Sequence, residues 1–325
     1  MTATRLPLPN QRWHFQHGPI DLVIGAEGEA SAVSAAHEHA WRRFQTVLSE
    51  LVAVLPALRT PVSVGLAPCG SVARKMFEAC RVFSPQFITP MAAVAGAVAD
   101  EIIESYRRTG VRKAWVNNGG DIAFHLAPGA REMRLAVVVD PQMPRFCVSS
   151  GLMQHDAVAR IAEASGVRGV ATSGWSGRSF SFGIADAVTV LARSAARADA
   201  AATMIANAVD VVCPLIARAP ASSLKDDSDL GDRWVTVNVP ALPAALVDTA
   251  LSKGLMAAQT MQSSGLIVSA LLQCQGRTRF LDDVPRAPPV GAEARSRIKA
   301  DAEARLRYAA AMENLELVVR SECAA

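Results

Sequence analysis

Apolar and polar positions alternate along the chain with two periods, and the period changes from segment to segment. Apolar residues three to four positions apart are typical of helices that bury one face, and they mark residues 31–55, 71–83, 91–108, 157–164, 194–212, 243–262 and 296–317. Short apolar or alternating runs are typical of strands, and they mark residues 20–25, 62–66, 114–117, 122–126, 135–139, 169–173, 187–192 and 234–239. Residues 267–273 fit a buried strand and a helix segment equally well.

These elements follow one another without the regular strand–helix–strand alternation of a parallel sheet. Residues 114–117 and 122–126 instead read as two strands joined by a tight turn at Gly119 and Gly120. The mixture predicts an α+β domain in which a mixed or antiparallel sheet packs against helices. We expect this domain to cover residues 1–285, and residues 286–325 to form a linker and an amphipathic helix.

The composition is typical of a globular protein and excludes several classes of function. Hydrophobic residues make up 50% of the 325 residues and charged residues 19%, which supplies a core and excludes a disordered chain. Lys and Arg number 33 against 30 acidic residues, and a net charge of +3 gives no strong field to attract nucleic acid. No apolar run reaches the roughly 20 residues of a membrane helix, and the N-terminus carries no leader pattern. We therefore expect a cytoplasmic protein with neither nucleic acid nor membrane as a partner.

Cysteine and histidine spacing favours neither a disulfide framework nor a zinc site. The six cysteines never form Cys-x-x-Cys, so reduced and mostly buried thiols are expected. His37 and His39 are the closest histidine pair, but a helix would point them to different faces. We expect both to be surface side chains.

Three polar segments at the ends of predicted elements carry groups that can hold phosphate or metal. Residues 117–121 (Asn-Asn-Gly-Gly-Asp) let backbone amides approach a ligand, although alone they are more typical of a hairpin turn. Residues 171–179 offer hydroxyls and the Arg178 guanidinium to a diphosphate, although alone they are more typical of a polar loop. Asp199 and Thr203 stand one helical turn apart and suit Mg²⁺, although alone they are more typical of a cap or a solvated face.

The order of these segments is more specific than any one of them. A Gly-Gly-Asp turn at 119–121 precedes Ala-Thr-Ser-Gly at 171–174, Val-Thr-Val at 188–190 and Ala-Asp-Ala-x-x-Thr at 198–203. This succession resembles the FAD:protein FMN transferase (ApbE) superfamily over residues 90–209. The N-terminal and C-terminal parts do not match the better-known transferases.

The resemblance implies a T-fold-like domain that binds FAD and Mg²⁺. It makes Asp199 and Thr203 the metal ligands. It also implies nucleotide contacts by residues of the turn and of the loop, namely Asn118, Gly119, Gly120, Asp121, Thr172, Ser173, Gly174 and Arg178. The reaction of the superfamily transfers FMN from FAD onto a Thr or Ser hydroxyl of an acceptor protein, and AMP leaves.

Two departures from the superfamily pattern concern the chemistry. The transferases usually carry Lys-Gly where this chain has Ala95-Gly96, so a cationic phosphate contact is missing, and Lys75 and Arg178 are the candidates to replace it. The His-Ile-x-Asp-Pro-x-Thr-Gly segment is shortened to residues 181–186, and its histidine is absent. Asp186 is the nearest ionisable group, and it serves either as a catalytic base or metal ligand or as a strand-end hydrogen-bond partner. The pattern indicates a divergent subfamily.

Three functions are compatible with these residues. The first is a Mg²⁺-dependent enzyme that cleaves the diphosphate of FAD or transfers FMN. The second is a flavin- or pterin-binding protein of a cofactor or one-carbon pathway that has lost transfer chemistry, which the missing Lys and His favour. The third is an oligomerisation module with Ala-rich helices as a homodimer surface, but composition does not separate packing within a chain from packing between chains, and the polar segments stay unexplained.

Overall fold

The computed structural model describes residues 2–137, 146–147, 152–153, 157–177, 179–281 and 315–319. Its strands are β1 Thr4–Leu8, β2 Arg12–His17, β3 Ile20–Gly28, β4 Val111–Asn118, β5 Asp121–Leu126, β6 Met133–Val137, β7 Phe146–Cys147, β8 Leu152–Met153, β9 Ala157–Ile161, β10 Gly169–Ser173, β11 Ala187–Ala192, β12 Ala217–Pro220, β13 Trp234–Asn238, β14 Ser269–Cys274, β15 Arg277–Leu281 and β16 Leu315–Val319. Its α-helices are α1 Ala30–Ala53, α2 Leu55–Leu58, α3 Ser71–Arg81, α4 Val94–Ile103, α5 Ala195–Ala208, α6 Ala221–Leu224 and α7 Ala244–Ser263. Short 3₁₀ turns cover Pro90–Ala93, Glu104–Tyr106 and Glu163–Ser165.

Nine strands form one sheet in the order β1-β2-β3-β4-β5-β10-β11-β14-β15, and each neighbouring pair is antiparallel. The predicted hairpin is present as β4 and β5, and Asn118 pairs with Asp121 across its turn. Gly119 and Gly120 there have φ values of 65° and 115°, which a residue with a Cβ rarely adopts. The α+β class with an antiparallel sheet packed against helices is confirmed.

The two faces of the large sheet are covered differently. Helices α1, α4, α5 and α7 pack on one face and form the main core. The other face packs against the three-stranded sheet β16-β9-β6. Because successive strand residues point to opposite faces, Ala171 of β10 joins the helical core whereas Val170 joins the second cluster.

Small residues let α4 and β10 approach the start of α5 very closely. A Cβ on Gly96 would lie 2.3 Å from the Ala195 carbonyl oxygen, and one on Gly169 would lie 2.1 Å from the Ala195 nitrogen. The alanines of α5 are buried within the chain, namely Ala195, Ala196, Ala198, Ala200, Ala201, Ala202 and Ala206. The alanine-rich character of α5 therefore serves packing inside this chain, and the homodimer stays a prediction.

Several sequence-based expectations about elements were wrong. Residues 62–66 form no strand, and Val64 and Leu66 are exposed. Residues 157–161 are strand β9 instead of a helix, because pairing with β6 and β16 outweighs their helical spacing. The end of the predicted C-terminal helix, residues 315–317, belongs to β16, whereas residues 296–314 of that helix lie outside the described residues.

The burial of the thiols and of the histidine pair differs in part from what the sequence predicted. Cys80 and Cys274 are buried, Cys69 is exposed, and all are free thiols. His37 is buried because α1 turns this position toward the core, where its Nδ1 lies 2.7 Å from the Tyr106 hydroxyl. The surface prediction was therefore wrong for His37.

No helix in the described part of the chain combines the length and the hydropathy that crossing a lipid bilayer requires.

Candidate functional site

Two carboxylates meet where the start of β5 faces α5. Asp121 is the first residue of β5, directly after the Gly-Gly turn, and Asp199 lies in the second turn of α5. A hydrogen bond joins their side chains. Two carboxyl groups in such contact do not both ionise unless a cation neutralises them, so they share a proton or hold a metal. We call these two residues the aspartate pair.

Backbone amides from two other elements hold the aspartate pair in place. Thr172 of β10 donates its N–H to Asp121 Oδ1 at 3.2 Å, which continues the β5–β10 ladder through a side chain. Gly96 of α4 donates its N–H to Asp199 Oδ2 at 3.0 Å. The glycine permits this bond because α4 and α5 touch at backbone distance there. Four elements, β5, α5, β10 and α4, therefore meet at the pair.

Burial makes the metal-free aspartate pair reluctant to ionise. Desolvation raises the pKa of Asp121 to about 7, although the Thr172 amide opposes the shift. Desolvation, and next the negative charge of Asp121, raises the pKa of Asp199 well above its usual range. A divalent cation would relieve both penalties, because it supplies the positive charge that the described surroundings lack.

A third carboxylate, Asp100, adds to this negative environment. It is buried and accepts the N–H groups of Ala195 at 2.9 Å and Ala196 at 2.8 Å, so it caps the N-terminus of α5. Desolvation raises its pKa, and its charge contributes to the raised pKa of Asp199. Sequence reasoning missed Asp100, although an aspartate that directly follows the apolar residues 91–99 was a usable signal.

Thr203 lies one turn after Asp199 on α5, as the spacing predicted. It is partly buried, and its hydroxyl makes no hydrogen bond with any described residue. Two carboxylates and one hydroxyl form a set of hard oxygen donors. Within the described residues no group of three or more His, Cys, Asp or Glu side chains is arranged to hold a metal. The donor set fits Mg²⁺, which binds through one or two carboxylates and completes its shell with phosphate and water.

The Gly-Gly turn beside the aspartate pair is open on its outer side. A Cβ on Gly120 would meet no atom within 4 Å, and the turn glycines are exposed. The Gly120 amide donates to Asn117 Oδ1 at 2.8 Å, and the Asn118 amide donates to the Ala95 carbonyl at 3.0 Å. The turn is thus fixed to the start of α4 while its outer surface has room for a ligand.

The structure brings only part of the predicted loop to the aspartate pair. Thr172 offers its N–H, but its hydroxyl lies 2.9 Å from the Thr189 hydroxyl on the opposite face of the sheet. Ser173 is partly buried at the end of β10, and Gly174 is required there because a Cβ would lie 2.1 Å from the Asp186 carbonyl oxygen. Arg178 lies outside the described residues.

Asp186 is engaged in holding the loop rather than directed at the aspartate pair. Trp175 Nε1 donates to its Oδ1 at 3.3 Å, and the Gln275 N–H donates to its Oδ2. These contacts match the strand-end alternative, and a role as base stays a prediction.

Lys75, a candidate for the missing cationic contact, is also engaged. Its Nζ donates to Glu101 Oε2, and Arg43 Nε donates to Glu101 Oε1 at 2.7 Å. Lys75 acts on the site only through its charge, which lowers the pKa of Asp100 against the dominant effect of burial.

Fold and site together define an α+β protein in which an antiparallel hairpin and an alanine-rich helix hold an aspartate pair suited to a divalent cation. The chain belongs to the family described as AbpE bacteria, whose family model matches residues 4–280. This membership confirms the resemblance seen in the motifs and is consistent with a divergent subfamily.

Named relatives and solved structures give further similarities. The chain is 32% identical over 193 residues to the UPF0280 protein of Methanothrix thermoacetophila, which covers 58% of this chain and 71% of the relative. It is 35% identical over 203 residues to the UPF0280 protein of Methanothermobacter thermautotrophicus, which covers 59% and 72%. Among solved structures, the flavinyl transferase ApbE of Pseudomonas stutzeri in its apo form matches with a TM-score of 0.40 and 14% identity over 88% of this chain and 97% of the other. The flavin transferase ApbE of Vibrio cholerae matches with a TM-score of 0.36 and 13% identity over 87% and 98%.

Proposed function

We propose that this protein binds the diphosphate of a flavin nucleotide through Mg²⁺ and cleaves FAD or transfers FMN to a protein hydroxyl. The observation that carries the proposal is the aspartate pair, in which two desolvated carboxylates lie in contact beside an open Gly-Gly turn. Membership of the AbpE bacteria family and the succession of motifs from residue 119 to residue 203 support the flavin ligand.

In this proposal the residues of the site divide into a metal part and a nucleotide part. Asp199, Thr203 and Asp121 hold the ion, which when bound neutralises charge on the diphosphate. The exposed Gly119 N–H faces the nucleotide and donates to its oxygens, while the Gly120 N–H holds the turn through Asn117 Oδ1. Gly96 and Thr172 fix the orientation of the carboxylates before the ligand arrives, which reduces the cost of ordering them.

The test uses the full chain with FAD and MgCl₂, with AMP measured by chromatography and flavin-labelled proteins in cell extract detected by in-gel fluorescence. We expect Asp199→Asn to lose AMP release because the amide cannot neutralise the ion. The matched control is Asp226→Asn, which removes a carboxylate from an exposed loop and should leave AMP release unchanged. If the unmodified protein yields neither AMP nor labelled protein, transfer and cleavage are both excluded.

A second function is favoured by what surrounds the aspartate pair. Ala95 stands where the superfamily has a lysine, Lys75 is bound to Glu101, and Asp186 is bound to Trp175 and Gln275. These features fit a flavin- or pterin-binding protein that does not turn its ligand over. Mass spectrometry of the natively purified protein identifies the ligand, and tight binding without AMP release would favour this function. The absence of any copurifying or titratable nucleotide would count against both functions.

A further inference from the structure

A concave site lies at the opposite end of the β4–β5 hairpin from the aspartate pair. It is a groove of about 740 Å³, with the turn before β4 and the end of β5 among its walls. Four residue steps of β5 separate Asp121 from His125, which lines the groove, and at about 3.3 Å per residue this is a distance of about 13 Å. We call it the arginine groove after Arg107, Arg108 and Arg112 in its lining.

The guanidinium groups of the arginine groove are not neutralised equally. Arg107 forms an ion pair with Glu104 at 3.1 Å. Arg108 and Arg112 are exposed, and neither forms an ion pair with any residue that the structure describes. Unpaired arginines in a concave site supply the forked donors that match the oxygens of a phosphate group.

His125 contributes a neutral ring to the same groove. Burial lowers the pKa of His125, and the positive charges of Arg107 and Arg168 lower it further, while a hydrogen bond to the Val111 backbone opposes both effects. The ring therefore adds polar surface without adding charge at neutral pH.

The turn from residue 108 to residue 110 adds backbone donors. Gly110 has a φ of 87°, and within the described residues the N–H groups of Thr109 and Gly110 donate to no protein acceptor. Glu29 is the one acidic residue of the lining and lies beside Gly110, whose carbonyl accepts the Glu29 N–H at 2.8 Å. Its carboxylate lies against Gly110, where a Cβ would stand 3.0 Å from Glu29 Oε2, and so opposes an anion at that glycine. The guanidinium groups of Arg108 and Arg112 are therefore the groups left to bind the anionic end of a ligand.

We propose that the arginine groove binds a small phosphate-bearing molecule of about mononucleotide size, with its phosphate on Arg108 and Arg112. The volume lies within the range of roughly 300–1,000 Å³ that small-molecule sites occupy, and most of the remaining lining is neutral. The modest net charge of +3 and the confinement of these arginines to one groove favour a small molecule over a nucleic-acid strand. This site is separate from the proposed flavin site and does not depend on it.

The test measures binding of AMP and of inorganic phosphate to the full chain by calorimetry in EDTA at low ionic strength, so that a Mg²⁺-dependent site does not contribute. We expect saturable AMP binding that the double variant Arg108→Gln/Arg112→Gln weakens by at least about tenfold. Glu29→Gln should tighten binding by roughly threefold, an increase that misfolding cannot produce. Arg42→Gln, which removes an exposed arginine about 20 Å along α1 from Glu29 and outside the lining, should leave it unchanged.

Three results would overturn the proposal. The first is no saturable binding of either probe to the unmodified protein. The second is equal binding by the double variant, or an equal loss in Arg42→Gln, because either result would make the attraction non-specific. The third is loss of AMP binding in Asp199→Asn, which would place the nucleotide at the aspartate pair. Inactivity of the protein toward FAD would leave the expected AMP binding unaltered, so the two proposals fail separately.

Discussion

Replacing one carboxylate of the aspartate pair should stabilise the metal-free protein at alkaline pH. Asp121→Asn removes a group whose ionisation is opposed by burial, an effect on its pKa that the hydrogen bonds from Thr172 and Asp199 only partly offset. The amide still accepts the Thr172 N–H and donates to Asp199, so it imitates the protonated carboxyl group. The variant should therefore match the unmodified protein at low pH and exceed it at high pH.

The size of the effect follows from the raised pKa. Asp121 changes from an unfolded value of 3.8 to about 7 in the folded protein, so between these limits the folded state holds more protons than the unfolded state. The free energy of unfolding then falls as pH rises, by about 1.4 kcal/mol per unit. From pH 5 to pH 8 the loss is about 3 kcal/mol. At a few degrees per kcal/mol, this is roughly 5–10 °C in Tm.

The assay is thermal unfolding in EDTA from pH 5 to pH 8, with Asp226→Asn as the control for loss of an exposed carboxylate. Addition of Mg²⁺ should raise the Tm of the unmodified protein at pH 8 and raise that of Asp121→Asn much less. If Asp121→Asn melts at or below the temperature of the unmodified protein at pH 8, the carboxylates are not desolvated and the reasoning is refuted.

Three further changes examine the surrounding scaffold. Gly96→Ala should lower the free energy of unfolding by about 2–3 kcal/mol, because its Cβ would lie 2.3 Å from the Ala195 carbonyl oxygen and this clash outweighs the better helix propensity of Ala. An unchanged midpoint of urea unfolding would contradict this close packing. Glu101→Gln should destabilise the protein by about 3 kcal/mol at pH 7 and progressively less below pH 5. The reason is that burial raises the pKa of Glu101, but its three side-chain donors outweigh burial and lower the pKa to about 2. A loss of stability that does not change with pH would refute this. Asp186→Asn should cost about 1 kcal/mol and retain AMP release, because the carboxylate accepts the Gln275 N–H; a hundredfold loss of AMP release in a folded variant would instead make Asp186 the base.

The sequence predicted elements best where local pattern and tertiary pairing agree. The β4–β5 hairpin, β10, β11 and α5 were all found, because glycine turns, β-rich runs and an alanine-rich helix each carry a local signal. Strands β1 and β2 were missed, since Pro7, Arg12 and two histidines give them the composition of a polar segment. Their strand structure depends on pairing with one another and with β3, which composition does not reveal.

In the candidate site, too, local spacing was predictable from the sequence and tertiary contacts were not. Asp199 and Thr203 were predicted as a unit because a helix places them on one face. The contact between Asp199 and Asp121 was not predicted, since it depends on how the hairpin meets α5 and not on sequence spacing. The ion pair between Lys75 and Glu101 could not be predicted from the sequence either, because it joins α3 to α4 through side chains.

The outermost strands of the nine-stranded sheet bear on how this protein behaves at high concentration. An unpaired strand edge invites another chain to add to it, which is a route to aggregation. Pro7 in β1 has no N–H to offer, and Arg277 and Arg279 stand along β15, where Asp248 of α7 binds each at 2.7 Å. Each edge therefore discourages strand addition and so opposes the growth of a continuous sheet from one molecule to the next.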